Sequence, residues 1–241
     1  MNPTVVAETV RRHVTSIPYL GYLVLLAIMA FGVSRMDNMP GRIWPPLIAL
    51  LSYIVGCSVI GPEFSSGTLQ LILAKPVNRT VYLVSRVLGA TAVVWIALLV
   101  PMLIELLGRK GQHAQIILGT TLNYALMALL TVSLMALFGS FTRAYFNIAI
   151  YFVLSIGLSV VQGAMGMLQM AREGFFAWLG KILTDFPAIP KAIVWIDQNL
   201  FPDAPPRANG SFALMVLSNA AVALVVACLL FRRREVPYGA D

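Results

Sequence analysis

Few side chains in this sequence could carry out chemistry, and those few lie far apart. The two histidines, His13 and His113, have no cysteine, histidine or carboxylate nearby at the spacing of metal ligands. The two cysteines, Cys57 and Cys228, each lie inside an apolar segment, where a thiol usually serves as a small hydrophobe. No glycine loop followed by a lysine is present to bind phosphate. We therefore expect no catalytic, metal or cofactor-binding site in this chain.

Polar side chains inside apolar segments are the remaining candidates. Glu105 is the only carboxylate in such a segment, and intramembrane acids are functional candidates by default. It lies near the segment end, however, where it could snorkel or pair with Arg109 at i+4, and the pairing is favoured. Four amides could line a pathway or bond between helices, the commoner use in membrane bundles: Asn123, Asn147, Gln162 and Asn219.

The composition indicates an integral membrane protein. Hydrophobic residues make up 59% and charged residues 11% of the 241 positions, against about 25% charged residues in a soluble domain. The formal net charge of +7 need not indicate nucleic acid, because basic residues collect at the ends of membrane spans and attract anionic lipid headgroups. We expect membrane lipid, and no nucleic acid, among the partners.

Apolar segments of membrane-spanning length predict an all-α fold with six transmembrane helices in one domain, 1–241. A helix needs about 20 residues to cross the hydrocarbon core. The six spans fall at roughly 17–34, 43–60, 84–107, 115–139, 145–168 and 211–231. An even number places both termini on one side. The basic residues divide nearly evenly between the two sides, but the cluster Arg232–Arg234 directly after the last span indicates that both termini are cytoplasmic.

The connections between the spans also carry helical patterns. Residues 1–16 fit a short amphipathic helix on the membrane surface, with Val6, Val10, Val14 and Ile17 on one face; a solvated leader is the alternative. The predicted external loop, 169–210, contains an amphipathic helix ended by Pro187 and a second short helix near Pro190. Helices packed on the outer membrane surface are favoured there over a re-entrant pair.

The stretch from Gly61 to Ala90 is the most ordered polar interruption in the chain. Its turn formers predict two short helices and a break, and Asn78 or Thr80 is suited to cap the helix that follows. The loop 61–83 is cytoplasmic on this topology. It could simply anchor to headgroups through its basic residues, but an apolar cytoplasmic patch usually indicates a partner. That patch consists of Leu69, Leu71, Ile72 and Leu73.

The same stretch resembles the first cytoplasmic loop of type-2 ABC transporter permeases, in the short bacterial form with a separate ATPase chain. That family has an acidic residue, the letters SGTL, an apolar run, a proline, and an arginine before the third span. The matching positions, which the resemblance assigns to docking the ATPase, are Glu63, Ser66, Gly67, Thr68, Leu69, Leu71, Ile72, Pro76, Arg79 and Tyr82. The resemblance covers about 25 residues closely, and elsewhere it extends only to the layout.

The resemblance implies a non-enzymatic membrane subunit in the bacterial cytoplasmic membrane. Its partners would be an ABC ATP-binding subunit and a second permease copy, in a homodimer or heterodimer. ATP and magnesium would bind the partner ATPase, and a coupling helix in the 61–83 loop would pass its motion to the spans, for export or for mechanical transmission. The alternative is a membrane scaffold or maturation factor that recruits a cytoplasmic partner, for instance during assembly of an exported metalloenzyme, without transport of its own.

Overall fold

The computed structural model describes residues 1–35, 45–60, 78–141, 146–170, 174–202, 204–205 and 207–233. All regular secondary structure in these ranges is helical, in agreement with the predicted fold class. The helices are α1 (Pro3–Val14), α2 (Ile17–Ser34), α3 (Pro45–Cys57), α4 (Arg79–Gly108), α5 (Ala114–Phe141), α6 (Phe146–Met170), α7 (Gly174–Asp185), α8 (Ala188–Leu200) and α9 (Gly210–Arg233).

Five of these helices, α2, α4, α5, α6 and α9, are long and apolar enough to cross a membrane. Their outward side chains are apolar as well; Val24 and Ile28 on α2 are 59% and 64% exposed, as expected for residues that face lipid. The protein is therefore a multi-pass membrane protein. α3 has 13 residues, about 20 Å of helix, less than the roughly 30 Å core. The predicted span 43–60 starts outside the described residues, and a sixth span stays a prediction.

The chain divides into two compact units, residues 1–148 with 204–241 and residues 149–203. In the first unit, α4 is the central helix, in contact with α1, α2, α3, α5 and α9. Its small and β-branched side chains allow this close packing, and Val87, Val93, Val94 and Ala97 are fully buried. A displacement of α4 would therefore require each of these helices to move or repack.

α4 begins earlier than the predicted third span, 84–107. Asn78 is the N-cap, and its side-chain carbonyl accepts a hydrogen bond from the amide of Thr80 at 3.0 Å, which satisfies one of the amides left free at a helix start. This confirms the first of the two predicted caps. Pro101 lies inside the helix and is buried. The first turns of α4 thus continue beyond the apolar segment.

Hydrogen bonds and close helix–helix contacts hold the helices around α4 together in the first unit. The hydroxyl of Tyr19 on α2 donates to the carbonyl of Val93 at 2.8 Å. α3 lies so close to α5 that a Cβ on Gly56 would be 2.9 Å from Cγ of Met135. Such approaches maximise van der Waals contact, the main attraction between helices in lipid.

The second unit comprises most of α6, followed by α7 and α8. Only 11% of the span Ala149–Leu168 is buried. The rings of Tyr151 and Phe201 meet edge to face at 4.8 Å, and those of Phe175 and Trp178 on α7 lie 5.7 Å apart. Helices are thus present where the 169–210 loop was expected to contain them, and their external position stays a prediction.

Candidate functional site

Buried polar side chains meet where α1 crosses the first turns of α4. Thr9 of α1 is 2% exposed and Arg86 of α4 is 6% exposed. The guanidinium Nη1 of Arg86 donates to Oγ1 of Thr9 at 3.1 Å, and that hydroxyl in turn donates to the carbonyl of Val5 at 2.7 Å. Burying a cation costs free energy unless the cation is hydrogen-bonded. The bond to Thr9 provides an acceptor for the buried Arg86 and at the same time joins α1 to α4.

A glycine in α4 allows α1 to come this close. A Cβ placed on Gly89 would lie 2.8 Å from Cβ and 3.0 Å from Cγ2 of Thr9, and 3.2 Å from the carbonyl oxygen of Val6. Real Cβ atoms essentially never approach to 2.8 Å, and well-packed interiors accommodate extra atoms poorly. The missing side chain of Gly89 therefore allows α1 to pack directly against the backbone of α4.

α1 and its N-cap, Asn2, contact described residues on both sides of segment 61–77, which itself lies outside the described residues. On the upstream side, Nε2 of His13 lies 2.8 Å from Oγ of Ser58, in the turn after α3. On the downstream side, the backbone amide of Asn2 donates to Oγ of Ser85 at 2.8 Å. We call residues 58–60 and 78–86 the loop stems. α1 thus bridges the upstream stem and the downstream stem.

His13 is held in this bridge by both ring nitrogens. Nδ1 lies 2.8 Å from the carbonyl oxygen of Thr9; because a carbonyl only accepts, Nδ1 carries the proton and donates. Burial lowers the pKa of His13 below its ordinary value, and the positive charges of Arg86 and Arg12 lower it further, while the bond to Thr9 acts in the opposite direction. The neutral ring is therefore favoured in the folded bridge.

The structure corrects the face predicted for the N-terminal helix. α1 ends at Val14, whereas Ile17 belongs to α2 and is 84% exposed, so Ile17 does not share the face of Val10 and Val14. Those two valines do pack against the core, but the most buried residue is Thr9, which apolar periodicity does not reveal. The sequence feature that could have indicated a buried polar contact is the i, i+4 pair of Thr9 and His13, on the same side of the helix as the valines.

Most of the residues assigned to ATPase docking lie outside the described residues, including the whole predicted coupling helix. The structure places only two of them. Arg79 is the first residue of α4 and is half-buried, and Tyr82 is 6% exposed within the core. Those outside are Glu63, Ser66, Gly67, Thr68, Leu69, Leu71, Ile72 and Pro76.

Glu105 is fully buried at the opposite end of α4, so it does not snorkel to the membrane surface. Arg109 is also buried, and its Nη2 donates to the carbonyl of Val33 at 2.8 Å, which joins the end of α4 to α2. The side chains of this end are thus part of the helix packing. The pairing of Glu105 with Arg109 stays a prediction.

Asn123 joins α5 to the segment before α9. Its amide nitrogen donates to the carbonyls of Pro205 at 2.7 Å and Arg207 at 2.9 Å. A glycine one turn earlier permits the approach, since a Cβ on Gly119 would lie 2.6 Å from the amide nitrogen of Ala208. These bonds hold the segment before α9 against α5, and a pathway role for Asn123 stays a prediction.

Of the other three amides, Asn147 and Asn219 belong to the first unit and Gln162 to the second. Asn147 is 1% exposed, and its amide nitrogen donates to the carbonyl of Met135 at 3.4 Å. Gln162 has a buried amide nitrogen without a hydrogen-bond partner in the described residues. Asn219 is half-buried on α9. Across the described ranges, no three histidine, cysteine or carboxylate side chains come together as a metal site would require.

One family model matches almost the whole chain. The family is described as "ABC-2 family transporter protein", and the match extends over residues 9–236. The chain belongs to this family. As an ABC-2 permease it is a membrane transport component, and such components associate in general with an ATP-binding subunit. A search among curated proteins found no match to this ABC-2 chain.

Proposed function

We propose that this ABC-2 chain is the membrane subunit that docks a separate ATP-binding subunit through the 61–83 loop and transmits the ATPase cycle to its membrane helices. The observation that carries the proposal is the α1 bridge between the two loop stems. Both termini and this loop would lie on the cytoplasmic side of a bacterial inner membrane, as the basic cluster Arg232–Arg234 also favours.

The contacts of the loop stems indicate how force would travel. A partner that moved residues 61–77 would pull on Ser58 and on the start of α4. The His13–Ser58 and Thr9–Arg86 contacts, at 2.8 and 3.1 Å, connect these two points through one helix. The stems would therefore move together with α1, as a packed unit that shifts between discrete arrangements.

α4 provides the path from the loop to the membrane helices. It starts one residue after Asn78 in the downstream stem, and its buried face contacts α2, α3, α5 and α9. Close packing against each neighbour means that α4 cannot shift without displacing them. A rocking motion that starts at the loop would thereby reach the helices that line any pathway.

A second permease copy is the further partner that we propose. The span Ala149–Leu168 is only 11% buried, and Gly163 and Gly166 face open space. Small residues on an otherwise uncovered span permit close helix association. With both cysteines replaced, Gly163→Cys should form a disulfide-linked dimer under mild oxidation. Val24→Cys, on the exposed face of α2, is the comparison position; equal cross-linking at both would argue against this interface.

The docking role is tested by co-expressing this chain with an ABC ATP-binding subunit from the same genome. Leu71→Asp should abolish co-purification and the stimulation of ATP hydrolysis by the permease, because it places a charge in the apolar patch of the loop. Leu71→Ile keeps that patch and should behave as wild type. Gly67→Pro should likewise uncouple the two subunits while the permease remains inserted.

Two outcomes would count against this function. If Leu71→Asp and Gly67→Pro both kept co-purification and stimulated hydrolysis, the loop would not be the docking element. If the ATPase bound the wild-type permease but hydrolysis were never stimulated, the chain would act as a recruiting scaffold, without coupling to transport.

A further inference from the structure

The start of α4 and the end of α9 enclose a groove that has no role in the bridge described above. It has a volume of about 380 Å³ and is open along one side. The two helices run antiparallel, so Thr80 lies at the same end as Arg232, and Val84 lies one turn deeper. The complete lining is Thr80, Val84, Leu224, Val225, Cys228, Leu229 and Arg232.

The polarity of this groove changes along its length. Its mouth has one hydroxyl, from Thr80, and one cation, from Arg232. Every other lining residue is apolar or a thiol. From Arg232 to Leu224 the α9 wall rises about 12 Å toward the middle of the span. A ligand that fills the groove must therefore be anionic at one end and hydrocarbon along the rest.

We propose that this groove binds one anionic phospholipid, with its phosphate between Arg232 and Thr80 and one acyl chain along α9. Charge complementarity selects this occupant, because basic pockets between membrane helices are suited to anionic headgroups and the wall below is hydrocarbon-like. Arg232 lies in the last turn of α9 and is exposed, so its guanidinium can reach a phosphate at the membrane surface. Free phosphate would leave the apolar wall unused.

The chain offers a matched control for the charge. Arg233 is the neighbouring arginine, exposed like Arg232, but it does not line the groove. Replacing either by alanine removes one positive charge from the same helix end. A general attraction between the surface and anionic lipid would change equally in both variants, whereas a site in the groove would depend on Arg232 alone.

Native mass spectrometry of the full-length protein, delipidated and then loaded with dioleoyl phosphatidylglycerol or dioleoyl phosphatidylcholine, tests the site. Wild type should retain one phosphatidylglycerol in preference to phosphatidylcholine. Arg232→Ala should weaken this retention about fivefold, and Arg233→Ala less than twofold. Val84→Trp, which fills the groove without changing charge, should remove the retained lipid. Equal losses in the two arginine variants would overturn the proposal, as would unchanged retention in Val84→Trp.

Cys228 provides a native thiol in the groove wall for a second test. It is half-buried in the groove wall, while Cys57 is buried elsewhere. In a Cys57→Ser background, maleimide labelling of Cys228 should be slower in phosphatidylglycerol nanodiscs than in phosphatidylcholine nanodiscs. The difference should disappear with Arg232→Ala and persist with Arg233→Ala. Equal rates in the two lipids would contradict a bound anionic lipid. If Val84→Trp changed the dimer fraction instead of lipid retention, a second copy of the chain would be the occupant.

Discussion

Replacing Thr9 by valine isolates the hydrogen bond that joins α1 to α4. Valine has nearly the same shape as threonine but cannot accept from Nη1 of Arg86, which Thr9 contacts at 3.1 Å. A hydrogen bond to a charged group contributes about 1.5–3 kcal/mol. We therefore expect the docking of α1 to weaken by about 2 kcal/mol, which corresponds to a roughly thirtyfold larger opening constant.

Hydrogen exchange of the α1 peptide, measured by mass spectrometry on the full chain in nanodiscs, reports this opening directly. Thr9→Ser is the matched control, because it keeps the hydroxyl and removes one buried methyl group worth about 0.8 kcal/mol. Its opening constant should rise only about fourfold. If Thr9→Val exchanged no faster than Thr9→Ser, the Arg86 contact would not be what holds α1 in place.

Three further perturbations test other contacts of the first unit. Burial lowers the pKa of His13 in the folded protein, so the stability that the neutral ring gives to α1 docking is complete above the unfolded pKa of about 6.5 and declines as the pH falls below it. Hydrogen exchange, corrected for intrinsic rates, should therefore show more opening of α1 at pH 5.5 than at pH 7. His13→Asn should remove this difference. Gly89→Val should destabilise α1 docking by about 1–3 kcal/mol through overpacking. In a double-mutant cycle measured by thermal unfolding, adding Thr9→Gly should recover part of that loss. Strictly additive effects would show that the two positions are not in contact. Asn123→Leu leaves two carbonyl groups before α9 without their donor. The free energy of opening of residues 204–209, measured by hydrogen exchange, should therefore fall by about 2 kcal/mol. Unchanged exchange would mean that Asn123 does not hold this segment.

Apolar segments were the most predictable part of this protein, because a membrane admits few alternatives to long apolar helices. The bounds of α2 match the predicted span 17–34, and Asn78 caps α4 as its residue type suggested. The predicted span 84–107 covers only the apolar part of α4, because hydropathy discounts charged residues such as Arg79 and Arg86. Arg86 is nevertheless buried, because Thr9 provides an acceptor that comes from a distant part of the sequence.

The bridge across the loop stems could not have been predicted from sequence patterns. His13 and Ser58 are 45 positions apart, and Arg86 lies 77 positions from Thr9. Periodicity shows which face of a helix is apolar, but it does not show which polar groups will meet when two helices cross. The loop motif, in contrast, indicated the family correctly, because that local order of residue types is specific on its own.

Site-specific photo-cross-linking tests the central proposal, that residues 61–83 dock an ATP-binding subunit, most directly. A photoreactive residue at position 71 should capture the co-expressed ABC ATP-binding subunit, with a yield that depends on ATP. The same residue at position 209, where Asn209 is exposed in the connection before α9, is predicted to face the other side of the membrane and should capture none. Capture at position 209 but not at position 71 would contradict both the docking element and the topology.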